Sequence, residues 1–250
     1  MDIPKLSTIS VEDLRLRAYI GFMDWETKKL QDVVLSYSFK YDTSRASITD
    51  SVDDAVDYKL LTKQIIEMVD NQSFFLIEFL AEKIYQHIQL YHPNIQNITV
   101  KVEKPNALRF SDNVLVEISN EDRYNIASVS LGSNIEAENN FDKALREIQR
   151  LGIINQRSEF IKTKPLKFEN QPDFLNGAIL LYTKKSLAEL QLELKQIEAL
   201  LGRVRVENKN APRVIDLDVL TYNGHLIDKE INELPFLVKF VQYLQPEIKI

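Results

Sequence analysis

The chain has no cysteine among its 250 residues, which excludes disulfides and thiolate metal sites and leaves the redox compartment weakly informed. Histidine is nearly as scarce, with three in all. His87 and His92 lie five positions apart and His225 stands alone, so none gives the i,i+4 spacing of a helical metal pair. No apolar run approaches the roughly 20 residues that a membrane-spanning helix needs. The opening Met1-Asp2-Ile3-Pro4-Lys5 lacks the apolar core of a secretory leader, so the cytoplasm is the expected location. A surplus of positive charge is missing too. Residues 1–123 carry 14 Lys and Arg against 20 Asp and Glu, and residues 124–250 carry 17 against 17. Neither half has the basic balance of a nucleic-acid binder, so no nucleic-acid or membrane partner is expected.

What is present is the pattern of a soluble α+β protein in two parts. Residues 8–19 read as a strand, and Val33, Leu35, Tyr37, Phe39 and Tyr41 share one phase of a second. Two helical stripes follow, Leu61, Ile65, Met68 and Val69, then Ile77, Leu80, Ala81, Ile84, Ile88 and Tyr91. Ile98, Val100 and Val102, and then Val114, Val116 and Ile118, mark two closing strands. The order is ββααββ, an antiparallel sheet with its helices on one face and with edges left open for assembly. Residues 119–124 have no hydrophobic phase, which sets expected domains at 1–119 and 124–250.

The second part opens on a strand from Ile126 to Leu131, broken by Gly132-Ser133-Asn134. A helix ends near Gly152, strands follow at roughly 153–162 and 174–183, and Ser186-x-x-Glu189 is the capping box of a long helix stopped by Gly202. A last strand completes βαββαβ, a ferredoxin-like order. In that strand Asp216 and Asp218 share a phase opposite to Ile215, Leu217 and Val219, so both carboxylates point the same way. Such a pair repels itself unless a cation intervenes, and hard oxygen ligands suit Mg2+, which completes its shell with water and substrate phosphates. Arg203, Arg205, Lys209 and Arg213 lie just upstream. A carboxylate pair beside a cationic loop provides the minimal parts of phosphoryl transfer.

Three segments give this half a specific resemblance. Leu131-Gly132-Ser133-Asn134, Thr163-Lys-Pro-Leu166 with Gln171-Pro-Asp-Phe-Leu-Asn176, and Arg203-Val-Arg205 with Ala-Pro-Arg213 and Asp216-Leu-Asp218 resemble, in order, the motifs of hydroxymethyl-dihydropterin pyrophosphokinase. The resemblance implies that Asp216 and Asp218 hold Mg2+ (two ions per site) on ATP. Arg203, Arg205, Lys209 and Arg213 would take the phosphates, with Arg203 and Arg213 acting on the transferred group. Pterin would sit near Thr163, Leu166 and Asn176, between Phe174 and Phe236. The chain departs from that family after the Asp-Leu-Asp strand, where Asp228 to Glu247 contains neither His nor Arg, and at Lys209-Asn210-Ala211. Those departures imply slower pyrophosphoryl transfer than in a full-motif relative.

In the first half, Glu26 follows a strand in Ile20-Gly-Phe-Met-Asp-Trp-Glu26, Tyr58 and Glu78 begin the two helices, and Lys104 ends a strand before Pro105. With Gln31, this set resembles dihydroneopterin aldolase over nearly all of residues 6–118. The resemblance implies a tunnelling fold and retro-aldol cleavage with no cofactor, the dihydropterin ring serving as electron sink. Lys104 would be the general acid/base, with Glu26 beside it and Tyr58 relaying a proton, while Glu78 pairs with the amino-pyrimidinone edge of the pterin. It also implies a homo-oligomer, tetramer or octamer, whose sites form between neighbours. Together the halves would turn 7,8-dihydroneopterin into 6-hydroxymethyl-7,8-dihydropterin and then pyrophosphorylate it. Two alternatives stay open: an epimerase of a dihydroneopterin derivative in the first half, and a pterin-binding or assembly module without kinase activity in the second.

Overall fold

The computed structural model describes residues 5–165, 171–203 and 212–250, with only the backbone of residues 229 and 230. The chain divides into two compact units, Met1–Arg123 and Tyr124–Ile250.

In the first unit, β1 (Leu6–Ile20) and β2 (Gln31–Asp42) run antiparallel. A bulge shifts their register between Val11 and Leu14, where Asp13 takes a positive φ and donates its N–H to Ser36 Oγ. A short turn of helix, α1 (Ala46–Thr49), leads to α2 (Tyr58–Val69). Next come β3 (Ser73–Phe74), α3 (Ile77–Tyr91), β4 (Gln96–Pro105) and β5 (Asn113–Ser119). The sheet order is β3-β1-β2-β4-β5. It has one strand more than the sequence pattern showed, because two residues at β3 pair in parallel with Tyr19 and Ile20. So short a strand carries no readable period. The helices pack on one face: Leu61, Ile65 and Val69 from α2 and Leu80, Ala81, Ile84 and Ile88 from α3 bury against Val33, Leu35, Phe39, Val100 and Val102. The alternate residues of β2 and β4 leave that face, which is why the period of two was visible.

The second unit runs β6 (Asn125–Ser133), α4 (Ala137–Ile148), β7 (Gly152–Arg157), β8 (Ile161–Thr163), β9 (Phe174–Thr183), α5 (Leu187–Leu200), β10 (Asp216–Tyr222), β11 (His225–Leu226) and α6 (Pro235–Leu244). Its sheet order is β11-β10-β6-β9-β7, with β8 also on β9, and every pairing is antiparallel. Helices α4 and α5 cover one face with Phe141, Ile148, Leu190 and Leu194 over Val129, Ile179, Leu217 and Val219. On the other face α6, begun by Pro235 at its first turn, packs Leu237, Phe240, Val241 and Leu244 on Ala178, Leu180 and Leu220.

The strand expected over 153–162 is two strands. Ser158 leaves the ladder there. Its N–H donates to Ala178 O at 2.8 Å and its Oγ accepts from Ala178 N at 2.9 Å. Phe160 turns in to lie over Gly177, where a Cβ would meet its ring, and packs edge-on against Phe141 with centroids 5.0 Å apart.

Candidate active sites

In the first unit the chain leaves β1 at Gly21, whose φ of +128° is a conformation favouring glycine. The next residues form a tight turn in which Glu26 folds back, its Oε2 accepting from Met23 N at 3.0 Å. The space above Gly21 is filled by that carboxylate. Lys104, one residue from the end of β4 and two strands from β1 in the sheet, reaches it with Nζ 2.5 Å from Glu26 Oε1. Both residues are buried, at 9% and 8% exposure, which marks a charged pair that the fold has taken out of water at a strand end. Gln31 donates to Ile20 O at 2.6 Å and so ties the start of β2 to the residue before Gly21.

Burial pushes the Glu26 carboxyl up, but the Lys104 hydrogen bond and charge and the Met23 N–H outweigh it, leaving the group below its ordinary range. A depressed carboxylate contributes stability above its unfolded-state pKa and loses it as pH falls through the lower folded-state value. The melting-temperature gap between wild type and Glu26→Gln is therefore flat around neutrality and closes only in acid below the usual glutamate range. A gap that closes near neutrality contradicts this. Gly21→Ala should be costly for two reasons, strain at a positive φ and collision with the carboxylate. The expected loss is about 1–3 kcal/mol, read as a lower unfolding midpoint, with displacement of Glu26 from Lys104.

A cavity of about 260 Å³ opens at Gly21 and Thr27, which flank the Glu26 turn, and is lined also by Tyr19, Ser73, Phe74 and Phe75. The structure leaves Tyr58 and Glu78 exposed at the first turns of α2 and α3 rather than in the pair. The same unit also exposes large apolar side chains: Phe22, Trp25, Phe75 and Phe79 are each more than half exposed.

The second unit gathers its charges at the start of β10. Asp216 and Asp218 pair across to Gly132 and Ser130 of β6, on the side opposite to the buried Leu217 and Val219. Arg203, just past the end of α5, and Arg213, just before β10, each donate a guanidinium N–H to a different oxygen of Asp216. The arrangement contains two residues that the sequence reading missed. Lys195 on α5 donates to Asp218 Oδ1 at 2.8 Å. Glu198, 2% exposed, accepts from Lys195 at 2.8 Å and from Leu217 N at 2.7 Å, and pairs with Arg203 at 2.7 Å. A signal for Glu198 exists: it falls at i+8 and i+4 from Leu190 and Leu194, inside the buried stripe of α5.

Burial pushes Asp216 up, and Arg213, Arg203 and Lys195 more than offset it, holding the carboxyl below its ordinary range. Asp218 goes the other way: burial and the neighbouring Asp216 charge raise it, and Lys195 only partly compensates. Glu198 is raised by burial despite its partners. Among the described residues no group of three or more His, Asp or Glu is arranged to hold a metal alone. Two hard carboxylates aimed one way, already met by three cationic groups, fit a divalent ion that takes its other ligands from phosphate and water.

Next to this cluster, Asn134 is buried and fully used. Its Oδ1 accepts from Arg213 N at 2.8 Å, and its Nδ2 donates to Gln171 Oε1 at 2.9 Å and to Pro172 O at 3.2 Å. Thr163 Oγ1 accepts from Asn176 Nδ2 at 2.8 Å, and the Arg213 guanidinium lies 5.7 Å from the Phe174 ring centroid. Thus Thr163 joins Asn176, and Phe174 joins the Arg213 cluster. Phe236 sits on α6 against Phe240, with centroids 5.9 Å apart. Leu166, Arg205 and Lys209 lie outside the described residues.

The family model of dihydroneopterin aldolase matches residues 9–119, and that of 7,8-dihydro-6-hydroxymethylpterin-pyrophosphokinase matches residues 128–246. A folic acid synthesis protein of Schizosaccharomyces pombe is 27% identical over 92% of this chain and 32% of its own length. One from Pneumocystis carinii is 30% identical over 90% and 33%. The chain thus spans about a third of the length of these relatives. A dihydroneopterin triphosphate 2'-epimerase of Pseudomonas aeruginosa is 32% identical over 46% of this chain and 94% of its own length. One chain thus carries two family domains in series, that of dihydroneopterin aldolase over residues 9–119 and that of 7,8-dihydro-6-hydroxymethylpterin-pyrophosphokinase over residues 128–246.

Proposed function

We propose that the chain catalyses two consecutive steps, retro-aldol cleavage of 7,8-dihydroneopterin in domain 1–119 and pyrophosphoryl transfer from ATP to the 6-hydroxymethyl-7,8-dihydropterin so formed in domain 124–250. The observation that carries the first step is the buried Lys104–Glu26 pair, whose Glu26 sits in the turn that follows β1. Cleavage breaks the bond between the first and second side-chain carbons. The proton of the second-carbon hydroxyl leaves, glycolaldehyde departs, and the electron pair passes into the dihydropterin ring as an enamine. A proton delivered to the first carbon then yields the hydroxymethyl group. Lys104 is the group placed to move these protons, and Glu26 fixes its position. Tyr58, exposed within one chain, acts at a neighbour's site as proton relay, and Glu78 is a two-point partner of the pterin amino-pyrimidinone edge. The exposed Phe22, Trp25, Phe75 and Phe79 support assembly through this unit, since soluble monomers seldom expose large apolar patches. A tunnelling fold in the first unit and a ferredoxin-like one in the second complete the proposal, the latter supported by the antiparallel order β10-β6-β9-β7. We expect a homo-oligomer of at least four chains. An aldolase-active monomer in native mass spectrometry contradicts it.

For the second step, Asp216 and Asp218 would hold Mg2+, which when bound with ATP neutralises charge on the phosphates. Arg203 and Arg213, positioned by Asp216, stabilise the negative charge of the transferred group. Arg205 and Lys209 extend the phosphate contacts. Thr163, Leu166 and Asn176 with Phe174 and Phe236 orient the pterin so that its hydroxyl oxygen attacks the β-phosphorus and AMP leaves. The groove of about 310 Å³ that runs from Lys195 and Asp218 past Leu194 and Ile227 suits the nucleoside. Chromatography of the spent nucleotide tests this: AMP is expected, whereas ADP or unchanged ATP contradicts it. The similarity to an epimerase is addressed by assaying glycolaldehyde, which an epimerase does not release. Cytoplasmic location belongs to the same proposal; no described helix is long and apolar enough to cross a membrane.

A further inference from the structure

The carboxylate pair of the second unit is met by an ammonium that the phosphate loops do not supply. Lys195 projects from the middle of α5 and places Nζ 2.8 Å from each of Glu198 Oε1, Leu217 O and Asp218 Oδ1, and 4.0 Å from Asp216 Oδ1. Three acceptors at hydrogen-bond distance use all three of its protons. Glu198 fixes this geometry from beneath, since its Oε1 also takes Leu217 N and so is locked to β10 itself. The same Lys195 borders the groove assigned above to the nucleoside, and Asp218 forms another part of its wall.

We propose that Lys195 is the resident counter-cation of the Asp216–Asp218 pair, standing in the electrostatic place of the divalent ion so that metal enters together with nucleotide rather than ahead of it. The inference rests on the reading of this unit as a Mg-ATP-dependent pyrophosphokinase. An ammonium and a divalent ion on the same Asp218 oxygen repel each other. A bare divalent ion must therefore displace Lys195 while Arg203 and Arg213 already neutralise Asp216. A nucleotide changes the balance, because its phosphates bring negative charge for the displaced ammonium and the guanidiniums to meet. Lys195 needs only to release Asp218, with Glu198 and Leu217 O still within reach of its ammonium. It is thus a positioning residue for the metal.

The test is Mn2+ titration of the full chain, with free Mn2+ followed by electron paramagnetic resonance, on wild type, Lys195→Met and Lys195→Gln. Methionine keeps the stem. Glutamine keeps a donor for Glu198 and Leu217 O, so that at least one variant retains the fold, checked by thermal melting. Without nucleotide, the variants should bind Mn2+ at least about tenfold more tightly than wild type, the scale of removing one adjacent like charge. With a non-hydrolysable ATP analogue present, that gain should shrink. A lysine serving only as structural support for Glu198 gives the opposite sign, so unchanged or weaker Mn2+ binding by a folded variant overturns the proposal. Wild type that binds no Mn2+ even with the analogue overturns the pyrophosphokinase reading first, and this proposal with it.

Discussion

Lys104→Met lowers the rate of glycolaldehyde release by about 10²–10⁴-fold, the usual contribution of a positioned general acid/base, and leaves AMP formation close to wild type. The separation follows from the fold, because Lys104 and Asp216 lie in different compact units, each with its own core. Methionine keeps the packing of the lysine stem and removes the ammonium, which isolates the chemistry from the burial. A second effect accompanies the first. Glu26 is left buried without its counter-charge, which costs about 3–5 kcal/mol if the carboxylate stays ionised and less if it protonates. The variant should therefore melt earlier in its first unit. Glu26→Gln in the same background relieves the buried charge and should recover stability without recovering rate. Retention of more than about a tenth of the wild-type cleavage rate removes Lys104 from the role of general acid/base.

Asp216→Asn and Asp218→Asn each lower kcat/KM for AMP formation by on the order of 10³ or more, the range of effects seen when phosphoryl transfer loses a charge-stabilising group. Asp216 should be the more damaging. Its two oxygens hold Arg203 and Arg213 separately, and an amide offers one of those donors a nitrogen instead of an acceptor. Asp218 holds only Lys195 among the described side chains whose bonds are resolved, so its loss falls mainly on metal and nucleotide binding. Because both act in one charge cluster, the double variant should lose far less than the product of the two single losses. Near-multiplicative losses would show the carboxylates acting independently. Glycolaldehyde release should stay at wild-type level in all three variants.

Legibility in the sequence followed exposure and period. β2 showed itself because one face is core and the other is not, so Val33, Leu35, Tyr37 and Phe39 stand out. The start of α5 was equally plain: the Ser186–Glu189 box is local chemistry and forms as written, with Ser186 Oγ accepting from Glu189 N and Glu189 reaching back to Ser186 N. The same-side disposition of Asp216 and Asp218 follows from the strand period alone. What escaped was decided across distance. The break between β7 and β8 depends on Phe160, which lies between those two strands, meeting Gly177 on β9. Glu198 falls in the buried stripe of α5, but that it joins Lys195 to the carboxylates of β10 is decided only by the approach of β10. Glu26 by itself reads as a turn charge; its place beside Lys104, 78 positions later, comes from the family resemblance and not from any local pattern.

The two-step account is tested most directly by mass spectrometry of the products formed from 7,8-dihydroneopterin by the full chain, with and without Mg-ATP. Without nucleotide, the mixture should contain glycolaldehyde and 6-hydroxymethyl-7,8-dihydropterin in equal amounts. With Mg-ATP, the hydroxymethyl product should disappear into its pyrophosphate ester while AMP accumulates one for one. A substrate recovered only as its epimer, with no glycolaldehyde, contradicts the first step, and a hydroxymethyl product that persists beside unconsumed ATP contradicts the second.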